Sequence, residues 1–224
     1  MRALTGGLVV ALLSALGTAP ADAVVLSGRV ATPEGKPIED AVVFVQDAGP
    51  VVDAANRAAT LDQVDKTFVP GLLPIVVGTR VNFPNHDQIQ HHVYSFSPAK
   101  KFELPLYKGT PANPIVFSAA GVVTLGCNIH DKMNGYIVVL DTPYFEKTEA
   151  AGRVEFRNLP PGKYTVHAWQ PDMLEEPAAQ ELTIGEGEHT TLAFTVKPAP
   201  AAMVSAPLNK VEDKFKKYGG NGRP

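Results

Sequence analysis

The chain has one cysteine, Cys127, in 224 residues. A lone cysteine cannot close a disulfide within its own chain, so no disulfide framework staples this fold. Positive charge is not in surplus either. Lys and Arg total 20 against 23 Asp and Glu, a formal net charge of -3. The basic footprint of a nucleic-acid binder is therefore missing. Long apolar runs are missing too, since none approaches the ~20 residues that cross a bilayer as a helix. What is plentiful is punctuation. The chain carries 19 Gly and 20 Pro alongside 45% hydrophobic residues. Short Val-, Ile- and Phe-rich runs between these turn residues read as an all-β protein built from β-sandwiches.

Residues 1–23 have the form of a secretory signal. Arg2 supplies the positive start, Leu8 to Leu16 the apolar stretch, and Ala21-Asp22-Ala23 a small-x-small cleavage site. The mature protein is expected to begin near Val24 and to reach the periplasm as a soluble protein, without a membrane span. Export sharpens the question of the cysteine. Oxidising compartments favour disulfides, yet Cys127 has no partner in its chain. A buried, inert thiol and an intermolecular disulfide are the plain readings. A metal-bound thiolate, deprotonated and shielded from oxidation, is the third.

The neighbours of Cys127 favour the metal. Gly126-Cys127-Asn128-Ile129-His130-Asp131-Lys132-Met133 places a thiol, an imidazole and a thioether within seven residues. A fully extended run would set Cys127 and Met133 ~20 Å apart. The stretch must curl into a loop if one ion is to touch all three. Its flanks suit that, with Val122 to Leu125 reading as a strand coming in and Gly135 to Leu140 as one going out. Thiolate, imidazole and thioether together favour copper, and two His, one Cys and a weak axial Met make the blue-copper arrangement. Structural zinc has no use for Met.

A second imidazole is needed. The stretch Phe83-Pro84-Asn85-His86-Asp87-Gln88-Ile89-Gln90-His91-His92-Val93-Tyr94 offers it. Taken together, a strand, F-x-N-x-D, a His opening a hydrophobic strand, and C-x-x-H-x-x-M before the last strand resemble the cupredoxins. The tight ligand loop is most similar to the amicyanin and plastocyanin type, whose relatives are often labelled methylamine-utilisation proteins. The resemblance implies a Greek-key β-sandwich holding one copper ion that alternates between Cu(I) and Cu(II). It implies Cys127 and His130 as equatorial ligands, Met133 as the axial one and His91 as the upstream histidine. His92 then stands where the family usually has Asn. Strand parity points elsewhere, because Tyr94 and Phe96 share a face with His92 and are bulkier than Val93 and Ser95. If that face is the buried one, His92 is the ligand. Asn85 and Asp87 read as caps of the turn before the strand. Asn128 is a candidate brace of the ligand loop. Ile129 and Pro84 are candidate rim residues around His130, the ligand whose edge the resemblance makes the electron exit.

The rest of the chain resembles a second family. Ser27-Gly28-Arg29-Val30-Ala31-Thr32-Pro33-Glu34-Gly35-Lys36-Pro37 followed by Ala41 to Val45 is similar to the opening hairpin of carboxypeptidase-regulatory-like (transthyretin-like) β-sandwich modules. Their usual continuation appears only at Gly152 to Trp169, through Leu159-Pro160-Pro161-Gly162-Lys163-Tyr164. The expected organisation is therefore a cupredoxin domain over 53–145, inserted into a host β-sandwich formed by 24–52 and 146–198. A flexible tail over 199–224 follows a Pro-Ala linker, although Leu208, Val211 and Phe215 fall at helical spacing. Within the insert, Asp53 to Asp65 reads as a linker or a short helix. Pro98 to Pro114, with three prolines, reads as mostly loop.

A scaffold that offers four ligands leaves no open position for a substrate, which argues against an enzyme. The expected function is a periplasmic type 1 (blue) copper protein carrying single electrons between transient redox protein partners, acting as a monomer. The alternative is a periplasmic copper-binding protein for copper delivery or storage.

Overall fold

A computed structural model describes residues 25–46, 48–49, 56–157 and 159–199. The expected signal peptide and the tail beyond residue 199 lie outside the described residues. Among these the chain forms strands and turns with no α-helix. The strands are β1 (Val25–Ala31), β2 (Val42–Gln46), β3 (Ala58–Thr60), β4 (Asp62–Val64), β5 (Thr67–Val69), β6 (Leu72–Val76), β7 (Arg80–Asn82), β8 (His91–Ser95) and β9 (Phe102–Tyr107). There follow β10 (Ile115–Val116), β11 (Gly121–Gly126), β12 (Asn134–Leu140), β13 (Phe145–Lys147), β14 (Arg153–Arg157), β15 (Gly162–Trp169), β16 (Gln180–Ile184) and β17 (His189–Thr195). The all-β expectation holds.

Strands from the two ends of the chain pair with one another. β14-β1-β17 form one sheet and β13-β2-β15-β16 another. β1 alternates its burial along the strand, with Leu26 and Val30 inward, the period-2 pattern of a sheet with one covered face. Phe145 pairs with Phe44 across the return of the chain. The middle of the chain forms its own sheets, β6-β12-β11-β8-β9, β10-β7-β3 and the hairpin β4-β5.

The sheet β6-β12-β11-β8-β9 is covered on both sides. Val93, Val123, Leu125, Ile137 and Val139 join a core with Phe83 and Phe117. Leu72, Val122, Val138 and Leu140 join a different core, which also holds Val42, Phe44 and Trp169. The only tryptophan of the chain meets Tyr136 of β12 edge-on, with ring centroids 6.1 Å apart. This explains why Val122-Val123-Thr124-Leu125 and Ile137-Val138-Val139-Leu140 show no alternation. A strand buried on both faces selects apolar residues at every position.

Two stretches differ from expectation. Residues 58–64 are strands β3 and β4, not a linker or short helix. Ala58 to Thr60 pair in parallel with Arg80 to Asn82, a partner about twenty residues away that local composition does not reveal. Phe102–Tyr107 is a six-residue strand where loop was expected. Its Pro105 falls in an irregularity, because the register steps from His91↔Tyr107 to Val93↔Leu104. β9 is also an edge strand. A bulge on an edge is where a strand tolerates proline.

Candidate metal centre

The loop between β11 and β12 curls because its spacing is turn spacing. The His130 amide donates to the Cys127 carbonyl at 3.4 Å, and the Met133 amide to the His130 carbonyl at 2.9 Å. Each pair of intervening residues is thus one i→i+3 turn. The loop brings Cys127 and Met133, 4% and 1% exposed, into the core beneath it and leaves His130 partly exposed at the mouth.

His91 opens β8 and is fully buried. Its Nδ1 lies 3.8 Å from Cys127 Sγ, and His130 Nδ1 lies 3.7 Å from the same sulfur. The three donor atoms all fall within 4.8 Å of one another. An ion ~2.0–2.1 Å from nitrogen and ~2.3 Å from sulfur, with ~120° between them as in a trigonal site, sets N and S ~3.8 Å apart. The observed separations fit that arrangement. A thiol acting only as a small hydrophobe would be surrounded by carbon, whereas two imidazole nitrogens face this one. Met133 is buried in the same core cluster as Cys127. It is on hand as a thioether donor.

The tautomer of His91 is set from behind. Its Nε2–H donates to Asp87 Oδ2 at 2.6 Å, which leaves the Nδ1 lone pair facing Cys127. Such carboxylate–histidine pairs orient a metal-binding ring and raise its basicity. Asp87 is itself clamped. Its Oδ1 accepts from the Asp65 amide at 2.6 Å and its Oδ2 from the Lys66 amide at 2.8 Å. Burial pushes the Asp87 pKa up, but the bonds from Lys66, His91 and Asp65 outweigh it and hold the carboxyl below its ordinary value. Asp65 and Lys66 form the tip of the β4-β5 hairpin, both at positive φ (52° and 60°), as a two-residue type I′ turn requires. The hairpin is anchored by Phe68, fully buried and packed on Gly135, where an added Cβ would stand 3.0 Å from the ring.

A second polar group braces the same end. Asn85 Nδ2 donates to the carbonyls of Ile89 (3.0 Å) and Tyr107 (2.8 Å), while its Oδ1 accepts from the Asp87 amide at 3.0 Å. The Tyr107 hydroxyl donates to the Phe83 carbonyl at 2.7 Å and meets Gln63 Nε2. Burial pushes the Tyr107 pKa up to about 12, and negative charge on Asp62 and Cys127 acts in the same direction against the Gln63 bond. Asn85 therefore caps its turn as expected. Asp87 does something else, reaching across to another hairpin and to the imidazole. Gln63 and Tyr107 were not anticipated, because nothing local in the sequence ties either to the motif.

His92 faces away from Cys127. Its Nε2–H donates to Glu103 Oε1 at 2.8 Å, and its buried Nδ1 has no partner. The parity expectation fails because the face shared by Val93 and Ser95 is the buried one, while Phe96 is 74% exposed. Bulk did not decide the orientation. Ile129 is half exposed at the mouth, whereas Pro84 is buried and forms no rim. Asn128 is exposed. His86 is solvated apart from an Asp62 partner at 2.6 Å. His167 is buried against Phe44 and bonded to Gln46, far along the chain from the loop.

No protein-family model matches the chain, and no curated protein matches it. Solved structures to which it is similar include a reduced Cu(I) form of an amicyanin mutant, at 24% identity over 44% of this chain and 98% of that one, with a TM-score of 0.34. A purple cupredoxin from Nitrosopumilus maritimus is 24% identical over 37% of this chain and 99% of that one, TM-score 0.32. A copper-containing nitrite reductase from Thermus scotoductus SA-01 is 23% identical over 51% of this chain and 28% of that one, TM-score 0.36.

Proposed function

We propose that this protein is a periplasmic type 1 copper protein that carries single electrons between transient redox partners and catalyses no reaction of its own. The reading rests on one observation above all, the convergence of His91 Nδ1 and His130 Nδ1 on Cys127 Sγ at 3.8 and 3.7 Å. His91, Cys127 and His130 would hold one copper ion, and Met133 would offer its thioether as a fourth donor. Copper bound there supplies a Cu(I)/Cu(II) couple.

The chain's own residues do the rest. Asp87 fixes the His91 ring so that no rotation is needed when charge at the centre changes. Burial of Cys127 and Met133 keeps water from the sulfur atoms. Of the four donor residues His130 alone reaches the surface, next to the exposed Ile129. A small apolar surface of that kind suits the weak, short-lived encounters of redox proteins. We read the strands from 58 to 140 as a cupredoxin-like unit set within a host sandwich, the cross-chain pairing of β2 with β13 and β15 supporting the division.

The test is a visible spectrum and voltammogram of the purified, Cu(II)-loaded protein. Intense blue colour, bleached reversibly by a mild reductant with copper retained, is the expected result. Colourless Cu(I) binding with easy release would favour copper delivery or storage instead. A wide copper hyperfine splitting in electron paramagnetic resonance would contradict the thiolate-dominated site.

A further inference from the structure

β13 and β14 are consecutive strands that go to different sheets. β13 is the edge strand beside β2, and β14 is the edge strand beside β1. A tight turn joins them, in which the Gly152 amide donates to the Glu149 carbonyl at 2.7 Å. The Glu149 amide still reaches the Arg153 carbonyl at 3.2 Å, and past that bond each strand pairs with its own neighbour. The wedge between them opens as a groove of about 450 Å³, a size at which clefts hold small ligands or side chains. Its walls include Glu146 and Lys147 of β13, Glu149 of the turn, Arg153 and Glu155 of β14, and Ser27 of β1.

The charges of this groove do not balance. Lys147 pairs with Asp40 at 2.8 Å, Arg153 with Glu149 at 2.7 Å and Glu155 with Arg157 at 2.6 Å. Each cation of the walls is thus taken by a carboxylate. Glu146 is left over, with no ion pair or hydrogen bond among the described residues. Burial pushes its carboxyl above the ordinary value, and no cation acts against that shift. A carboxylate partly withdrawn from water and given no partner is held at a cost.

The backbone at the same place is open too. The Val30 amide bonds the Gly152 carbonyl at 2.7 Å, which makes these two a hydrogen-bonded pair of the β1–β14 ladder. Such pairs alternate along antiparallel strands. With Ser27 opposite Glu155, the amides and carbonyls of Glu155 and Arg157 therefore turn to the free edge. In the same way the Val45 amide bonds the Tyr144 carbonyl at 2.9 Å, and Phe145 lies opposite Phe44. The backbone groups of Phe145 and Lys147 then also turn outward. An open edge of this kind is a template for one more strand.

We propose that the wedge between β13 and β14 is a peptide-binding site, in which an extended segment of a partner protein adds to the free edge of β14 and sets a Lys or Arg side chain on Glu146. Main-chain hydrogen bonds to Glu155 and Arg157 hold the segment, as in other strand additions. Glu146 supplies the selectivity, because an acidic side chain at that point is repelled and an apolar one leaves the carboxylate unpaired.

The experiment titrates an acetylated and amidated hexapeptide, alternating Thr and Val around one central Lys, into the isotope-labelled full chain and follows its amide resonances. Saturable shifts are expected at Phe145, Lys147, Glu155 and Arg157. The counterpart with a central Glu should bind several-fold more weakly, and Glu146→Gln should remove most of that preference. Glu155→Pro deletes one outward amide at a position where an edge strand accepts proline. It should abolish the shifts with little change in the urea midpoint. Equal binding of the two peptides, or no saturable shift with the Lys peptide, would overturn the site. Shifts confined to another free edge, such as β9 or β17, would overturn it as well. Spermidine giving the same shifts as the Lys peptide would overturn the added strand.

Discussion

The inner face of the five-stranded sheet packs Val93, Val123, Leu125, Ile137 and Val139 with Phe83 and Phe117, and ends in Cys127 and Met133. The outer face packs Val122, Val138 and Leu140 with Val42, Phe44 and Trp169. Both cores are apolar and tightly covered, and the inner one has a group of buried polar side chains at the end that holds Cys127. His91, Asn85 and Gln63 are all buried there, and hydrogen bonds tie them in. Burying so many polar groups is costly unless each is paired. The outer core buries His167 on Phe44 and is otherwise apolar. One sheet thus joins an apolar core to a core that ends in clustered polar donors, and substitutions on its two faces should separate the two.

The largest effect expected is at the sulfur. Cys127→Ser should abolish the intense visible absorption of the copper-loaded protein, while the urea midpoint of the metal-free protein changes little. A retained blue band would show that the thiolate is not the dominant ligand. Next comes the opposite case. Trp169→Ala opens a cavity in the outer core and should cost ~3–5 kcal/mol in urea unfolding, with position and intensity of the visible band unchanged. A shifted band would mean that the two faces are not independent.

Asp87→Asn should lie between the faces in kind and below both in size. It keeps the shape but removes the charge behind His91, so copper affinity should fall ~10–100-fold, the usual cost of losing such a partner. A less basic His91 stabilises Cu(II) less, so the reduction potential should rise. An unchanged affinity and potential would leave the carboxylate a purely structural clamp. The smallest effect concerns Tyr107, whose pKa is pushed up to about 12. A phenol harder to ionise when folded contributes stability that is intact below its unfolded pKa of ~10. That contribution is lost as pH rises toward the folded value. Stability should therefore fall between those limits in alkaline urea titrations, and Tyr107→Phe should flatten that fall.

Much of this architecture was legible in residue order. Short apolar runs between Gly and Pro announced an all-β chain. The unalternating runs at Val122 to Leu125 and Ile137 to Leu140 were readable as strands, although not as strands covered twice. β3, β4 and β9 were not legible. Their residues are Ala-rich, polar or proline-bearing, and they became strands because partners elsewhere in the chain offered hydrogen bonds. Pro105 shows the limit well, since only a bulge in a paired edge makes room for it. At the site, the curl from Cys127 to Met133 followed from spacing. Asp87 was misread as a local cap because its amide donors belong to Asp65 and Lys66, on a hairpin twenty-odd residues upstream.

Sequence by itself determined the donor set. One thiol, an imidazole and a thioether stand at turn spacing, and an i→i+3 turn is a local event that needs no distant partner. Tertiary structure decided which upstream histidine meets the sulfur. Alternating residues of a strand point to opposite sides, and the side that is buried depends on what covers the sheet. Bulk pointed to His92, but packing of Val93 beside Phe83 and Phe117 turned that side inward, and His91 came with it.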